Sequence, residues 1–105
     1  MVNKVILVGN LGADPDLVYT KGQDAVVNFS LATTDSWNDK QTGEKKEKTE
    51  WHRCFAWGKK AEIYAKHMQK GKLYYIEGTN ETSSYEKEGQ KHYSTKVRVD
   101  LVRFL

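Results

Sequence analysis

Trp51-His52-Arg53-Cys54-Phe55-Ala56-Trp57 is the stretch of this chain whose residue types and spacing could do chemistry. In an extended strand alternate side chains share a face. Trp51, Arg53, Phe55 and Trp57 then form one row, and His52, Cys54 and Ala56 form the other. The small second row suits a barrel interior. The first row does not, because burying an unpaired guanidinium is costly. Turned outward, it is a set of π faces with a cation among them. Flat heterocycles could stack there at ~1–3 kcal/mol per base, with Arg53 meeting a phosphate or stacking too. The competing arrangements are a core row from which Arg53 reaches solvent at an edge, or a bulge that reshuffles the faces.

Trp37 stands just before a lysine-rich segment that holds Lys40, Lys45, Lys46 and Lys48. A tryptophan there suits contact with a ligand or a partner subunit, or a cap over the mouth of a barrel. Tyr85, in a second polar segment, carries the same ambiguity. Catalytic patterns are lacking. No nucleophile elbow occurs and no motif orders a triad. His52, His67 and His92 lack metal-ligand spacing. Asp14 and Asp16 flank Pro15 as turn formers. Gly9-Asn10-Leu11-Gly12 is too short for a phosphate loop and lacks its lysine. Cys54 reads as an inert inward thiol. We expect no enzyme, no metal and no cofactor.

The elements that position these residues are mostly strands. Val2–Gly9 is nearly continuous in apolar residues, as if buried on both faces. Leu17–Tyr19 is a short extended segment after the Asp14-Pro15-Asp16 turn. Ala25–Thr34 alternates as a strand, and so does Glu50–Trp57. Asn38–Glu50 contains only Trp-free polar sequence centred on Gln41-Thr42-Gly43-Glu44, and reads as a long exposed hairpin tip or loop. Lys59–Lys70 is the one helix: Ala61, Tyr64, Ala65 and Met68 share a face, and Gly71 is placed to end it. Lys72–Glu77 is a strand. Asn80–Gln90 is polar with a turn at Glu88-Gly89. In Tyr93–Leu101, Tyr93, Thr95, Val97, Val99 and Leu101 face one way, with Ser94, Lys96, Arg98 and Asp100 facing the other. Five strands with a helix between the third and fourth predict an all-β, five-stranded Greek-key barrel of the OB type with two extended hairpin loops. A meander sheet with a packed helix would give the same string.

The chain has 105 residues, enough for a single domain spanning 1–105. One cysteine excludes a disulfide framework and a multi-cysteine zinc site, and fits a reducing cytoplasm. No apolar run is long enough for a membrane span, and the first residues do not read as a signal peptide. The formal net charge is +3 but unevenly spread: residues 40–72 carry ten Lys/Arg against four Glu, between acidic stretches. A concentrated basic block suits a polyanion; a solvated lysine-rich hairpin would look the same.

Val2-Asn3-Lys4-Val5-Ile6-Leu7-Val8-Gly9-Asn10-Leu11-Gly12 resembles the opening of bacterial single-stranded DNA-binding protein. Ser36-Trp37, Thr42-Gly43-Glu44, Thr49-Glu50-Trp51-His52-Arg53, Gly58-Lys59, Lys70-Gly71 and Tyr75-Ile76-Glu77-Gly78 continue the resemblance in order to about Val102. The resemblance implies an OB barrel, a homotetramer and sequence-tolerant binding and protection of single-stranded DNA during replication, recombination and repair. By position it assigns base stacking to Trp37, Trp51, Trp57 and Tyr85, and backbone contact to Lys4, Lys40, Arg53, Lys59 and Lys70. The family commonly has phenylalanine where Trp57 stands and tryptophan where Tyr85 stands; both replacements keep a π face.

Three departures qualify it. Thr79–Ser84 replaces an arginine-rich segment and holds one Glu, Glu81, so weaker phosphate contact and a shallower salt dependence are expected there. Lys45, Lys46 and Lys48 are placed to compensate. Leu73-Tyr74-Tyr75-Ile76 is more aromatic than usual, with Tyr74 or Tyr75 either at a subunit contact or in the core. The sequence also stops at Leu105, without the linker and acidic tail by which the family recruits replication and repair enzymes. It is then either the binding domain of a longer chain or a protein without that recruitment. The alternative function is an assembly or protein-interaction module that holds DNA weakly.

Overall fold

A computed structural model describes all of residues 1–105. Its elements run β1 (Val5–Leu11), β2 (Asp16–Tyr19), β3 (Ala25–Asn38), β4 (Lys45–Trp57), α1 (Lys59–His67), β5 (Leu73–Lys87) and β6 (Gln90–Phe104). The sheet order is β1-β5-β6-β4-β3-β2, and a further β1–β3 pairing closes it. Five strands thus form a closed OB barrel, with β2 as a short edge strand on β3. Antiparallel partners make up the ring except β4 and β6, which run parallel through Cys54↔Val97 and Phe55↔Arg98.

The barrel interior is filled by the inward row of each strand. Val27, Phe29 and Leu31 come from β3, Cys54 and Ala56 from β4, Tyr74 and Ile76 from β5, and Val97, Val99 and Val102 from β6. The helix closes one end with Ala61, Tyr64 and Met68, the face its spacing predicts. Closure also needs β1 to cross β3 tightly. A Cβ at Gly9 would overlap the Ala32 carbonyl oxygen, so only glycine lets these backbones meet.

Several boundaries differ from the sequence expectation, each for a physical reason. Asn38–Glu50 is not a loop: β3 and β4 stay in unbroken register from Val26↔Trp57 to Asn38↔Lys45. The result is a two-stranded arm that leaves the barrel, and the same happens at β5–β6, paired out to Lys87↔Gln90. Asp39 Oδ1 accepts the Gln41 and Thr42 amides at the first tip; Glu88 and Gly89 turn the second with positive φ of 54° and 77°. β1 starts at Val5 and runs on past the expected end at Gly9 to Leu11, and its outward residues are uncovered, with Ile6 57% and Val8 50% exposed. The helix ends at His67, not Lys70. Met68 turns into the core, the Gln69 amide donates to Tyr74 Oη at 2.8 Å, and the Lys70 amide donates to Asp14 Oδ1 at 3.0 Å. In β6 the alternation breaks at Asp100, opposite the irregularity between Glu77 and Gly78, so Val102 rather than Leu101 enters the core.

The accessible surface is 7827 Å², against roughly 6,000 Å² for a compact monomer of this mass. The two arms, exposed along nearly their whole length, account for the excess.

Candidate functional site

The row on β4 faces outward. Cys54 and Ala56 are buried and His52 is half-buried, whereas Trp51 is 58% and Trp57 51% exposed, with Arg53 exposed between them. Nothing reshuffles the faces, because the β3–β4 register carries no bulge over this stretch. On the inner row His52 Nε2 meets Thr33 Oγ1 at 2.8 Å. Burial pushes the Cys54 thiol up to about 12, so it is a packed, protonated group.

The outward row lines three adjoining depressions that share residues. One, of about 600 Å³, lies between Phe55 and Trp57 on β4 and Glu81, Thr82 and Ser83 on β5. A second, of about 720 Å³, runs from Trp51 and Arg53 to Tyr85 on the β5–β6 arm. A third lies among Asp14, Asn28, Ser30 and Arg53. Lys96 borders all three. Together they make one long groove across the barrel wall, from Trp57 past Arg53 to the base of an arm.

Trp51 is seated by Gly12. A Cβ there would overlap the benzenoid ring at Cζ3 and lie 3.0 Å from Cη2, so the missing side chain is the space the indole occupies. Tyr85 is 52% exposed and stacks on His92 across the arm, with centroids 5.4 Å apart and planes 20° from parallel. Lys91 Nζ sits 5.7 Å from the Tyr93 ring centroid.

The structure brings Trp51, Arg53, Trp57 and Tyr85 to one continuous face, and leaves the other named residues elsewhere. Trp37, 50% exposed, pairs with Lys46 on the first arm. The uninterrupted register puts it on the face opposite Trp51, which pairs with Ala32. Lys40 is exposed at that arm's tip, Lys59 begins the helix just after Trp57, and Lys70 lies in the turn before β5. Lys4 is engaged: its ammonium lies 2.8 Å from Glu77 Oε1, and Glu77 Oε2 accepts the Tyr75 hydroxyl at 2.8 Å. The hydrogen bond from Lys4 holds the Glu77 carboxyl below the usual carboxylate range, and Glu77 in turn raises Lys4. Glu81 also has a partner, Arg98 Nη1 at 2.9 Å, which offsets its charge.

Two groove residues, Lys96 and Asn28, were not singled out as site residues from the sequence. Alternation had put Lys96 on the outward face of β6, but its place beside Trp57 depends on the parallel β4–β6 pairing. Tyr74 is buried and packs edge-on against Phe104 at 5.2 Å; Tyr75 points outward.

The family described as the Single-strand binding protein family matches residues 2–105. Among solved structures, the chain is similar to a Plasmodium falciparum SSB in complex with ssDNA, at 32% identity and a TM-score of 0.86, covering 100% of this chain and 96% of that one. It is also similar to a deletion mutant of the single-stranded DNA binding protein from Thermus aquaticus, at 35% identity and a TM-score of 0.83. That match covers 99% of this chain and half of the Thermus chain.

Proposed function

The chain belongs to the Single-strand binding protein family, and on that premise we propose that it binds and protects single-stranded DNA with little regard to sequence. The observation that carries the reading is the half-exposed row Trp51–Arg53–Phe55–Trp57 along a groove that continues to Tyr85. Every base has a π face, so stacking on Trp51, Trp57 and Tyr85 favours single strands over duplex and tolerates any base. Arg53 and Lys96 supply cations between the rings. Trp37 and Lys40, on the other face and at the tip of the first arm, engage a strand that passes around that arm. Lys59 and Lys70 serve phosphates beyond the groove. Lys4 contributes after exchanging Glu77 for a phosphate.

The protein acts by covering strands exposed in replication, recombination and repair, in the cytoplasm, and catalyses nothing. No helix of the protein is long and apolar enough to cross a membrane. It works as a homotetramer. The outward row of β1, Ile6 and Val8, continues onto Tyr75 and Leu73 of the paired β5 as an uncovered apolar strip, which supports a subunit contact there.

Tryptophan fluorescence tests the reading. Titration with oligo-dT is expected to quench strongly, and duplex DNA of the same length weakly, with a modest salt slope. Absence of quenching by oligo-dT at low salt would refute it and favour the assembly-module alternative.

A further inference from the structure

The depression beside Trp57 sets a carboxylate opposite an exposed aromatic ring; the third depression also holds acids, Asp14 and Asp16, but no exposed aromatic. Phe55 and Trp57 form its aromatic wall, Glu81 and Ser83 line the opposite side, and Asn28 and Lys96 border it. A phosphate-tracking surface gains nothing from an acid, so the position of Glu81 calls for another partner.

Two features define what that partner offers. Glu81 Oε1 accepts from Arg98 Nη1 at 2.9 Å, and Arg98 Nε lies 3.9 Å from Asp100 Oδ1. The guanidinium therefore holds the carboxylate in place and offsets its charge toward a passing strand. Glu81 Oε2 takes no hydrogen bond from the protein. A carboxylate is an acceptor only, and Glu81 lines the same depression as Trp57, within which a ring stacked on the indole would lie.

We propose that this depression is a base subsite biased toward nucleobases that present an amino group, with Glu81 accepting from that group. Cytosine offers its N4 amino donor and adenine its N6 donor at the outer edge of the ring, whereas thymine's donor is N3–H, set between the O2 and O4 carbonyls, so a carboxylate accepting from it lies beside carbonyl lone pairs on both sides. Aromatic stacking fills the site with any base; the carboxylate ranks them. The proposal rests on the reading of the chain as a single-strand binder and adds a preference to it.

The test compares oligo-dC with oligo-dT of equal length, at mildly alkaline pH and fixed ionic strength, against wild type, Glu81→Ala and Glu81→Gln. Both pyrimidines stack in the same position, so the ratio of their affinities across variants isolates the edge contact. In wild type, Kd for oligo-dT divided by Kd for oligo-dC should exceed the same ratio in Glu81→Ala by roughly tenfold or more, the scale of one hydrogen bond to a charged group. Glu81→Gln, whose amide both donates and accepts, should also lower the ratio, chiefly by improving oligo-dT. Equal gains for both oligomers in both variants, with the ratio unchanged, would overturn the subsite and leave Glu81 as a repelling charge. Glu81 is exposed on the arm, and matching thermal melts would establish that the variants fold. Failure of wild type to bind either oligomer would refute the single-strand reading and this proposal with it; binding with an unchanged ratio overturns the subsite alone.

Discussion

Gly12→Ala is the smallest change that tests how the groove is built. The added methyl would occupy the space of the Trp51 ring at Cζ3 and Cη2. The Gly12 backbone is not in the left-handed region, so alanine is unstrained there and the cost falls on the indole alone. Trp51 is 58% exposed and free to swing outward, so the ring leaves its seat at about 0.5–1.5 kcal/mol of off-rotamer strain. Stability should therefore change by about 1.5 kcal/mol at most, a shift of several degrees in Tm for a domain of this size. The displaced ring no longer presents itself along the groove. Since one stacked base contributes ~1–3 kcal/mol, we expect oligo-dT affinity to fall by roughly five- to 150-fold. Trp51→Ala should lose the same contribution outright. The decisive measurement is the double-mutant cycle: Gly12→Ala in the Trp51→Ala background should cost nothing further in fluorescence-anisotropy titrations. An equal loss in both backgrounds would mean that Gly12 acts on binding by some route other than the indole, and the seating argument would fall.

Val8→Asp should break the subunit contact proposed for the β1–β5 strip while leaving the barrel folded, because Val8 points outward and is 50% exposed in the single chain; sedimentation showing an unchanged oligomer would place the contact elsewhere. Cys54 should resist Ellman's reagent in the native protein and react after denaturation, since its thiol is buried and raised to about 12 from 9.0. The sign of its pH linkage follows: the folded state keeps a proton that the unfolded state loses above pH about 9, so this contribution to stability is present below that pH and fades as pH rises toward 12. Against Cys54→Ala, the wild-type melt should decline more steeply between those limits, and parallel declines would remove Cys54 as the cause.

The β4 row was legible because its alternation is uninterrupted and its inner members are small: Cys54 and Ala56 fit a barrel wall where Trp51 and Trp57 cannot. The face of the helix was legible for the same reason. The arms were not, because strand signals come from apolar residues seeking burial, and the arms have no core to seek. They are held by ladder hydrogen bonds and cross-strand pairs such as Thr34–Thr49 at 3.0 Å and Thr82–Thr95 at 2.8 Å. The bulge at Asp100 and the parallel seam at Cys54↔Val97 are products of closing the ring. Neither leaves a local mark, which is why Lys96 was seen as outward but not as a neighbour of Trp57. The early helix end was hidden too, since the amides of the missing turn go to side chains outside it, one to Tyr74 on the next strand and the other to Asp14 far back in the chain.

The unbroken register of the β3–β4 arm constrains how this protein could change over time. Beyond the barrel, insertions meet no core, so the arm is free to lengthen or shorten. The pleat, however, admits only certain steps. Two added residues on each strand extend the ribbon by about 7 Å and return every side chain beyond them to its own side. One added residue on each strand turns the whole tip over, sending Trp37 to the side that Trp51 occupies. Viable length variants of such an arm should therefore come in even steps per strand, and their reach across a bound strand should be quantised accordingly.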